Sequence, residues 1–274
     1  MLFRIENGKT ELICSDGAYV LGAWQDALGN IIAALESSFP ELSQLTSEEY
    51  RETVIDRIGG NLSGDSTLNQ AVNIWGMDIS ADIAWNLIHI ETDLDKSEKG
   101  GIILSLQFVE NWRVRHFVSV DMQPLSLVNV DYSKGVNIWN VQSLYDIVYG
   151  LLYVYAFNGL KLVKCRHCEK WFATDTLKAQ FCTRKSPVAR YTHLACEQAV
   201  RNIRQQCTRQ RNRIVTKARS TNAHNHFEDD FIREDEPLQE RQQKFPTAAN
   251  LSEYMQFLRN TEKGRAWLKR ETLK

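Results

Sequence analysis

The chain has 274 residues, 43% hydrophobic and 24% charged, enough apolar material for one large domain or two modest ones. No uncharged apolar run reaches the ~18 residues of a membrane-spanning helix, and the opening stretch MLFRIENGKTELICSDG interrupts its apolar run with charges and lacks a cleavage-like site. No spanning helix is expected, the N-terminus does not read as a signal peptide, and a soluble, cytoplasmic protein is the expectation. The net charge of -1 hides an asymmetry: Lys161 to Arg219 holds 15 Lys or Arg against three acids, a local charge of about +12. The remaining sequence is correspondingly acidic.

In chain order, residues 3–14 read as a hairpin turning at Asn7-Gly8. Residues 18–36 carry apolar side chains at three-to-four spacing and predict a helix. Thr46-Ser47-Glu48-Glu49 reads as a helix start before TVIDRIGG, with Gly59-Gly60 as the stop. SADIAWNLIHIETDL, within 66–90 and just beyond, predicts another helix. The β-branched, alternating stretch at 102–120 predicts two strands, and LVNVDY a third. Residues 141–158 form an apolar, aromatic helix ending at Gly159. After Arg219 the sequence is polar and proline-punctuated, which reads as a linker or a solvated, partly helical segment. Residues 250–270 predict a last amphipathic helix starting near Asn250 or Ser252. The expected class is α+β: a mixed N-terminal domain (1–158), a small zinc finger with a long basic helix (160–219), and a polar linker with a helical C-terminal tail (220–274).

Five of the six cysteines lie within 165–207, a clustering that points to metal rather than to disulfide staples. Cys165-x-x-Cys168 has knuckle spacing, and Trp171-Phe172 could pack beneath it. Cys182 follows, and Cys196 stands at the head of a helix. Four thiolates make a closed tetrahedral site, the mark of a structural zinc. The long gap between Cys182 and Cys196 leaves His193 as an alternative fourth ligand. His167 points away from the site in the usual knuckle geometry. Cys14 ends a predicted strand, and Cys207 falls on an apolar stripe with Val200, Ile203, Ile214 and Ala218, which suits a core role.

The order of a C-x-x-C pair, aromatic residues, a basic linker, an aromatic-Cys pair and a cysteine heading an Arg-rich helix resembles bacterial CGNR-type zinc fingers. It is also similar to short treble-clef-like fingers of bacterial and mobile-element proteins. The resemblance covers about residues 160–215, with Glu197-Gln198-Ala199 after Cys196 where the family has Gly-Asn-Arg. It implies a DNA-binding finger on a larger ligand-sensing domain, in a transcription regulator or a mobile-element accessory factor.

On the helix after Cys196, Arg201, Arg204, Arg209, Arg211, Arg213 and Lys217 avoid the apolar stripe and are the candidate phosphate contacts. Gln and Asn side chains among them could reach base edges. Arg201, Arg204 and Arg211 avoid the apolar stripe and the ligand cysteines, so the fold has little reason to depend on them. The expected partner is nucleic acid, DNA foremost. The alternative is a protein-interaction module whose basic helix docks on an acidic protein surface, its own chain's included. A third reading is a metal-dependent nuclease using His224-Asn225-His226 and Glu228-Asp229-Asp230, although the tripeptide reads as chance and carboxylate clusters are common in linkers. No phosphate loop, nucleophile elbow or zinc-protease motif occurs, so an enzyme is the weaker class.

Overall fold

The computed structural model describes residues 1–15, 17–46, 48–50, 71–90, 101–116, 137–220 and 226–263. The chain divides into two compact units. One comprises Met1–Lys164 and Lys170–Ala179; the other takes Cys165–Glu169 and the described residues from Gln180 onward.

The first unit mixes helices with antiparallel sheets, as the α+β expectation requires. β1 (Leu2–Glu6) and β2 (Lys9–Cys14) form the hairpin at Asn7-Gly8, both residues in the left-handed region at φ 50 and 75. β3 (Gly17–Ala23) then pairs with β2, where the sequence reading placed the start of a helix. Gly22 at φ +101 cannot continue a helix, and a Cβ there would meet Asn30 Nδ2 at 2.7 Å. The helix begins only at α1 (Ala27–Ser38), whose Leu28, Ile31 and Leu35 are fully buried. Thr46 and Glu49 make the reciprocal bonds of a capping box, and the segment from 51 lies outside the described residues. β4 (Val72–Ile74) and β5 (Met77–Ile79) form a short hairpin, followed by α2 (Ala81–Ile88) capped by Ser80.

Of the two strands expected over 102–120, the described residues show only β6 (Ile102–Ile103). Leu106–Arg115 is a helix, α3, because Ser105 accepts from the Phe108 amide and Val109 and Trp112 recur on one buried face. Residues 117–120 and LVNVDY lie outside the described residues. β7 (Asn137–Asn140) pairs with β1, completing a four-stranded sheet in the order β3-β2-β1-β7, with Phe3 stacked on Trp139 at 5.4 Å. α4 (Leu144–Phe157) starts in a Ser143–Asp146 capping box and is buried along most of its length, as its composition predicts. β8 (Lys161–Lys164) pairs with β6 and with β9 (Trp171–Thr174).

The second unit is built on three helices: α5 (Cys196–Ser220), α6 (His226–Lys244) and α7 (Ala248–Lys263). Its core joins Val200, Ile203, Cys207 and Ile214 of α5 to Leu251, Tyr254, Met255 and Leu258 of α7, with Phe231 of α6. The polar stretch expected as a linker or a solvated, partly helical segment is helical over α6, despite Pro237 inside it. The inward stripe of α6 is half polar: Phe231, Asp235, Leu238 and Gln242, at spacings of three and four. The last helix starts at Ala248, two residues before the expected 250, with Thr247 Oγ1 accepting from the Asn250 amide.

Asp235 is fully buried and joins all three helices. Arg211 Nε donates to it at 2.5 Å and the Tyr254 hydroxyl at 2.8 Å. Burial, with the bond to Asp235, pushes the Tyr254 phenol far above its usual range. Removing the carboxylate strands a largely covered guanidinium and a buried hydroxyl. Asp235→Ala is therefore expected to destabilise the second unit by about 3 kcal/mol in urea unfolding; a change below about 0.5 kcal/mol would count it as an ordinary surface substitution.

Candidate metal centre

The knuckle interrupts the β8–β9 hairpin. The Glu169 amide donates to the Cys165 carbonyl at 2.9 Å, and Glu169 takes the left-handed region at φ 59, closing a turn that carries Cys165 and Cys168 to one side. The Arg166 amide donates to the Gln180 carbonyl at 2.8 Å and the Cys182 amide reaches Cys165 Sγ at 3.5 Å. This lays the third cysteine against the turn.

The long gap before the fourth cysteine is closed by backbone pairing. Lys185 and Ala195 form an antiparallel bridge, the Ser186 amide donates to Leu194 O and the Cys196 amide to Arg184 O, each at 2.9 Å. Residues 184 and 196 thus become neighbours, and the residues between fold into a loop with a short 3-10 turn at Ala189–Tyr191. Cys196 joins the cluster as the first residue of α5, while His193 is exposed on that loop and does not.

The four sulfurs of Cys165, Cys168, Cys182 and Cys196 lie within 4.8 Å of one another. Cys168 to Cys182 is 3.5 Å and Cys182 to Cys196 is 3.7 Å. A disulfide would need about 2.05 Å, whereas the edges of a tetrahedron with metal–sulfur bonds of about 2.3 Å are about 3.8 Å long. The residues present therefore fit a tetrahedral metal ion and are compatible with a structural zinc site. Cys165, Cys182 and Cys196 are buried and Cys168 half-buried, so four protein ligands leave no position for a substrate. Among the described residues no other group of His, Cys, Asp or Glu side chains converges in this way.

Four thiols this close cannot ionise independently. Hydrogen bonds from Cys168, Cys182 and Cys196 pull Cys165 far below the usual thiol range, while the bond to Cys165 pushes Cys196 far above it. A dication at the centre favours the thiolate form of all four. Arg184 Nε adds a charged donor to Cys182 Sγ at 3.4 Å, offsetting part of the surplus negative charge.

His167 does point away from the sulfurs, into the second unit. It is fully buried, with Nδ1 3.1 Å from Pro246 O and Nε2 2.8 Å from Ser186 Oγ, and its own carbonyl accepts the Ala248 amide at 2.9 Å. The knuckle is thereby fastened to the turn between α6 and α7. Burial lowers the imidazole's affinity for a proton. Trp171, expected beneath the site, belongs instead to the core of the first unit. Cys14 donates to Trp75 O at 3.5 Å in that unit, and Cys207 is buried in the α5 stripe, its thiol pushed up to about 11 by burial.

The arginines of α5 from Arg201 to Arg213 divide into three groups. Arg201 is exposed and pairs with Glu197 at 3.2 Å. Arg204 donates to Gln242 Oε1 and to the carbonyls of Gln242 and Gln243, capping the end of α6, and Arg211 holds Asp235. The expectation that the fold has no reason to depend on these residues therefore fails for Arg204 and Arg211. Arg209 and Arg213 are exposed and line a concavity of about 760 Å³ with Arg190 of the 3-10 turn and Arg259 of α7. The sequence reading missed Arg190 and Arg259 as members of this site. Arg190 stood in the basic block but off the helix, and Arg259 sits in the distant last helix with no local pattern to mark it. The side chains of Lys217 and Ala218, residues 224 and 225, and the side chains of 226–230 lie outside the described residues.

Cobalt(II) is expected to bind the reduced protein at one ion per chain, with the thiolate charge-transfer band and intense visible absorption of a tetrahedral four-sulfur site. Cys196→Ser should lose that spectrum and His193→Ala should keep it; the reverse pattern would give the fourth position to His193. No family model, curated protein or solved structure matches this chain.

Proposed function

We propose that the four cysteines hold one structural zinc ion, and that the helix anchored by Cys196 binds nucleic acid through its open face. A closed four-thiolate tetrahedron is a zinc-type donor set, unsuited to the oxygen-preferring magnesium or calcium. Placing the metal at the first residue of α5 fixes where that helix starts relative to the knuckle and the α6–α7 turn.

The observation that carries the binding half is the set of Arg190, Arg209, Arg213 and Arg259. These four guanidiniums line one concavity, and among the described residues no carboxylate pairs with any of them. Clustered like charges of this kind repel one another until an anion enters. The planar fork of arginine suits phosphate oxygens, and a polyanion that displaces condensed counterions gains affinity as it does so. Asn202, Gln205 and Gln206 line the same concavity and supply neutral donors and acceptors for sugars or base edges. The regulatory role implied by the CGNR-type resemblance would follow from such binding.

A protein-interaction role is the second reading. Arg211 on Asp235 shows that this helix accepts a carboxylate within its own chain, and an acidic protein could use the exposed arginines in the same way.

The test is a binding series on the full chain at several salt concentrations, with zinc measured on the same sample. Arg209→Gln with Arg213→Gln should leave one zinc per chain and the unfolding midpoint in place. The same double change should flatten log affinity against log salt by about 1.8 for duplex or about 1.4 for single strands, if each arginine meets one phosphate. Unchanged affinity and slope would remove this face from nucleic-acid binding and favour the protein-partner reading. Metal-replete protein without zinc would end the zinc assignment.

A further inference from the structure

α5 presents two different flanks. Asn202, Gln205, Gln206, Arg209 and Arg213 share one stripe at three- and four-residue spacing and face the arginine concavity. On the other flank lies a second depression of about 520 Å³, where Phe181, Val200 and Thr208 lie beside Arg201 and Arg204, the latter engaged by the carbonyls at the end of α6. Gln205 and Arg209 line both, so a ridge of two side chains is all that separates a cationic hollow from one with an aromatic and aliphatic surface. Glu197, the acid on that flank, is tied to Arg201 at 3.2 Å, so its charge is locally matched.

We propose that this double site takes a single-stranded nucleic acid, with backbone phosphates among Arg190, Arg209, Arg213 and Arg259 and an unpaired base turned over the Gln205–Arg209 ridge onto Phe181. This rests on the nucleic-acid reading above and specifies its substrate class. A phosphate-only ligand would use the arginine hollow and leave the Phe181 hollow empty, because Arg201 and Arg204 there are already engaged by Glu197 and by Gln242 and Gln243. In a duplex the base faces are stacked and only base edges are presented in the grooves, so an adjoining apolar hollow has nothing to receive. An unpaired nucleotide offers both groups on one flexible unit: a phosphate for the guanidiniums and a π-face for an aromatic ring. The amides suit this ligand too. The Tyr191 hydroxyl donates to Gln206 Oε1, leaving the Gln206 NH2 group as a donor at the hollow, and such contacts discriminate little among bases. The expected behaviour is strand binding with weak sequence preference.

The experiment uses fluorescence anisotropy on the full chain with three probes of equal length: a thymidine oligonucleotide, a duplex, and an abasic sugar–phosphate oligomer. The thymidine strand should bind at least about fivefold tighter than the abasic oligomer, the lower bound expected of one stacked base, and tighter than the duplex. Phe181→Leu, which keeps apolar volume but loses the ring face, should reduce thymidine-strand affinity by a similar factor without changing abasic affinity, and Phe181→Trp should retain it. If Phe181→Leu perturbs folding or zinc content, the wild-type comparison of thymidine and abasic strands decides alone. Equal affinity for those two, or a duplex bound as tightly as the single strand, overturns this inference and leaves nucleic-acid binding standing. Failure of all three probes to bind overturns both.

Discussion

Three separated pieces of backbone must bring four sulfur atoms to one point, and the second unit is arranged around that demand. The knuckle turn supplies two, the segment after Gln180 the third, and the first residue of α5 the fourth. Each approach is held by short backbone bonds: Glu169 to Cys165, Arg166 to Gln180, and Cys196 to Arg184. These bonds draw together thiols that burial and mutual proximity keep from ionising independently. A bound dication reverses that penalty, so metal affinity becomes folding free energy for this region. The helical core beyond it is small, one face of α5 against α7 and part of α6, the circumstance in which a metal staple matters most.

The same geometry sorts the charges of α5. Its length and register are set at Cys196, and from there each arginine meets a different environment. Those beside the apolar stripe are drawn into the unit: Arg204 covers the carbonyls at the end of α6, and Arg211 neutralises the buried Asp235. A buried pair of this type adds little net stability over an apolar equivalent. Its geometric requirement nonetheless fixes which turn of α6 lies beside which turn of α5. Arginines on the opposite side are left to the surface, where the loop and α7 bring one more each. The cationic hollow is thus a tertiary product, although half of it comes from one helix.

The cysteine cluster was the most legible part of the chain, because Cys165-x-x-Cys168 and two further cysteines state their chemistry by residue type and spacing. The choice between Cys196 and His193 was not legible. It depends on the Lys185–Ala195 bridge, which shortens a gap that looks long along the chain. The Asn7-Gly8 hairpin and the apolar α4 were readable because turn chemistry and composition agree there. Residues 18–23 misled, since AYVLGA carries apolar spacing compatible with a helix and only the φ of Gly22 and pairing with β2 make it a strand. The stretch after Phe227 was legible only as a linker or a partly helical segment. Its inward stripe includes Asp235 and Gln242, which count as surface residues until their partners on α5 and α7 are known. For the same reason the arginines of α5 could be counted in sequence but not divided into docked and open ones.

The central claim is that the metal centre organises the knuckle, α5, α6 and α7 as one folding unit. Native-state hydrogen exchange on the full chain, with zinc bound and after removal by a chelator under reducing conditions, tests it most directly. The account predicts that amides of 165–169, 180–220 and 226–263 lose protection together when the metal leaves, while those of β1, β2, α1 and α4 keep theirs. Loss confined to the few residues around the cysteines, with α5 to α7 still protected, would contradict it.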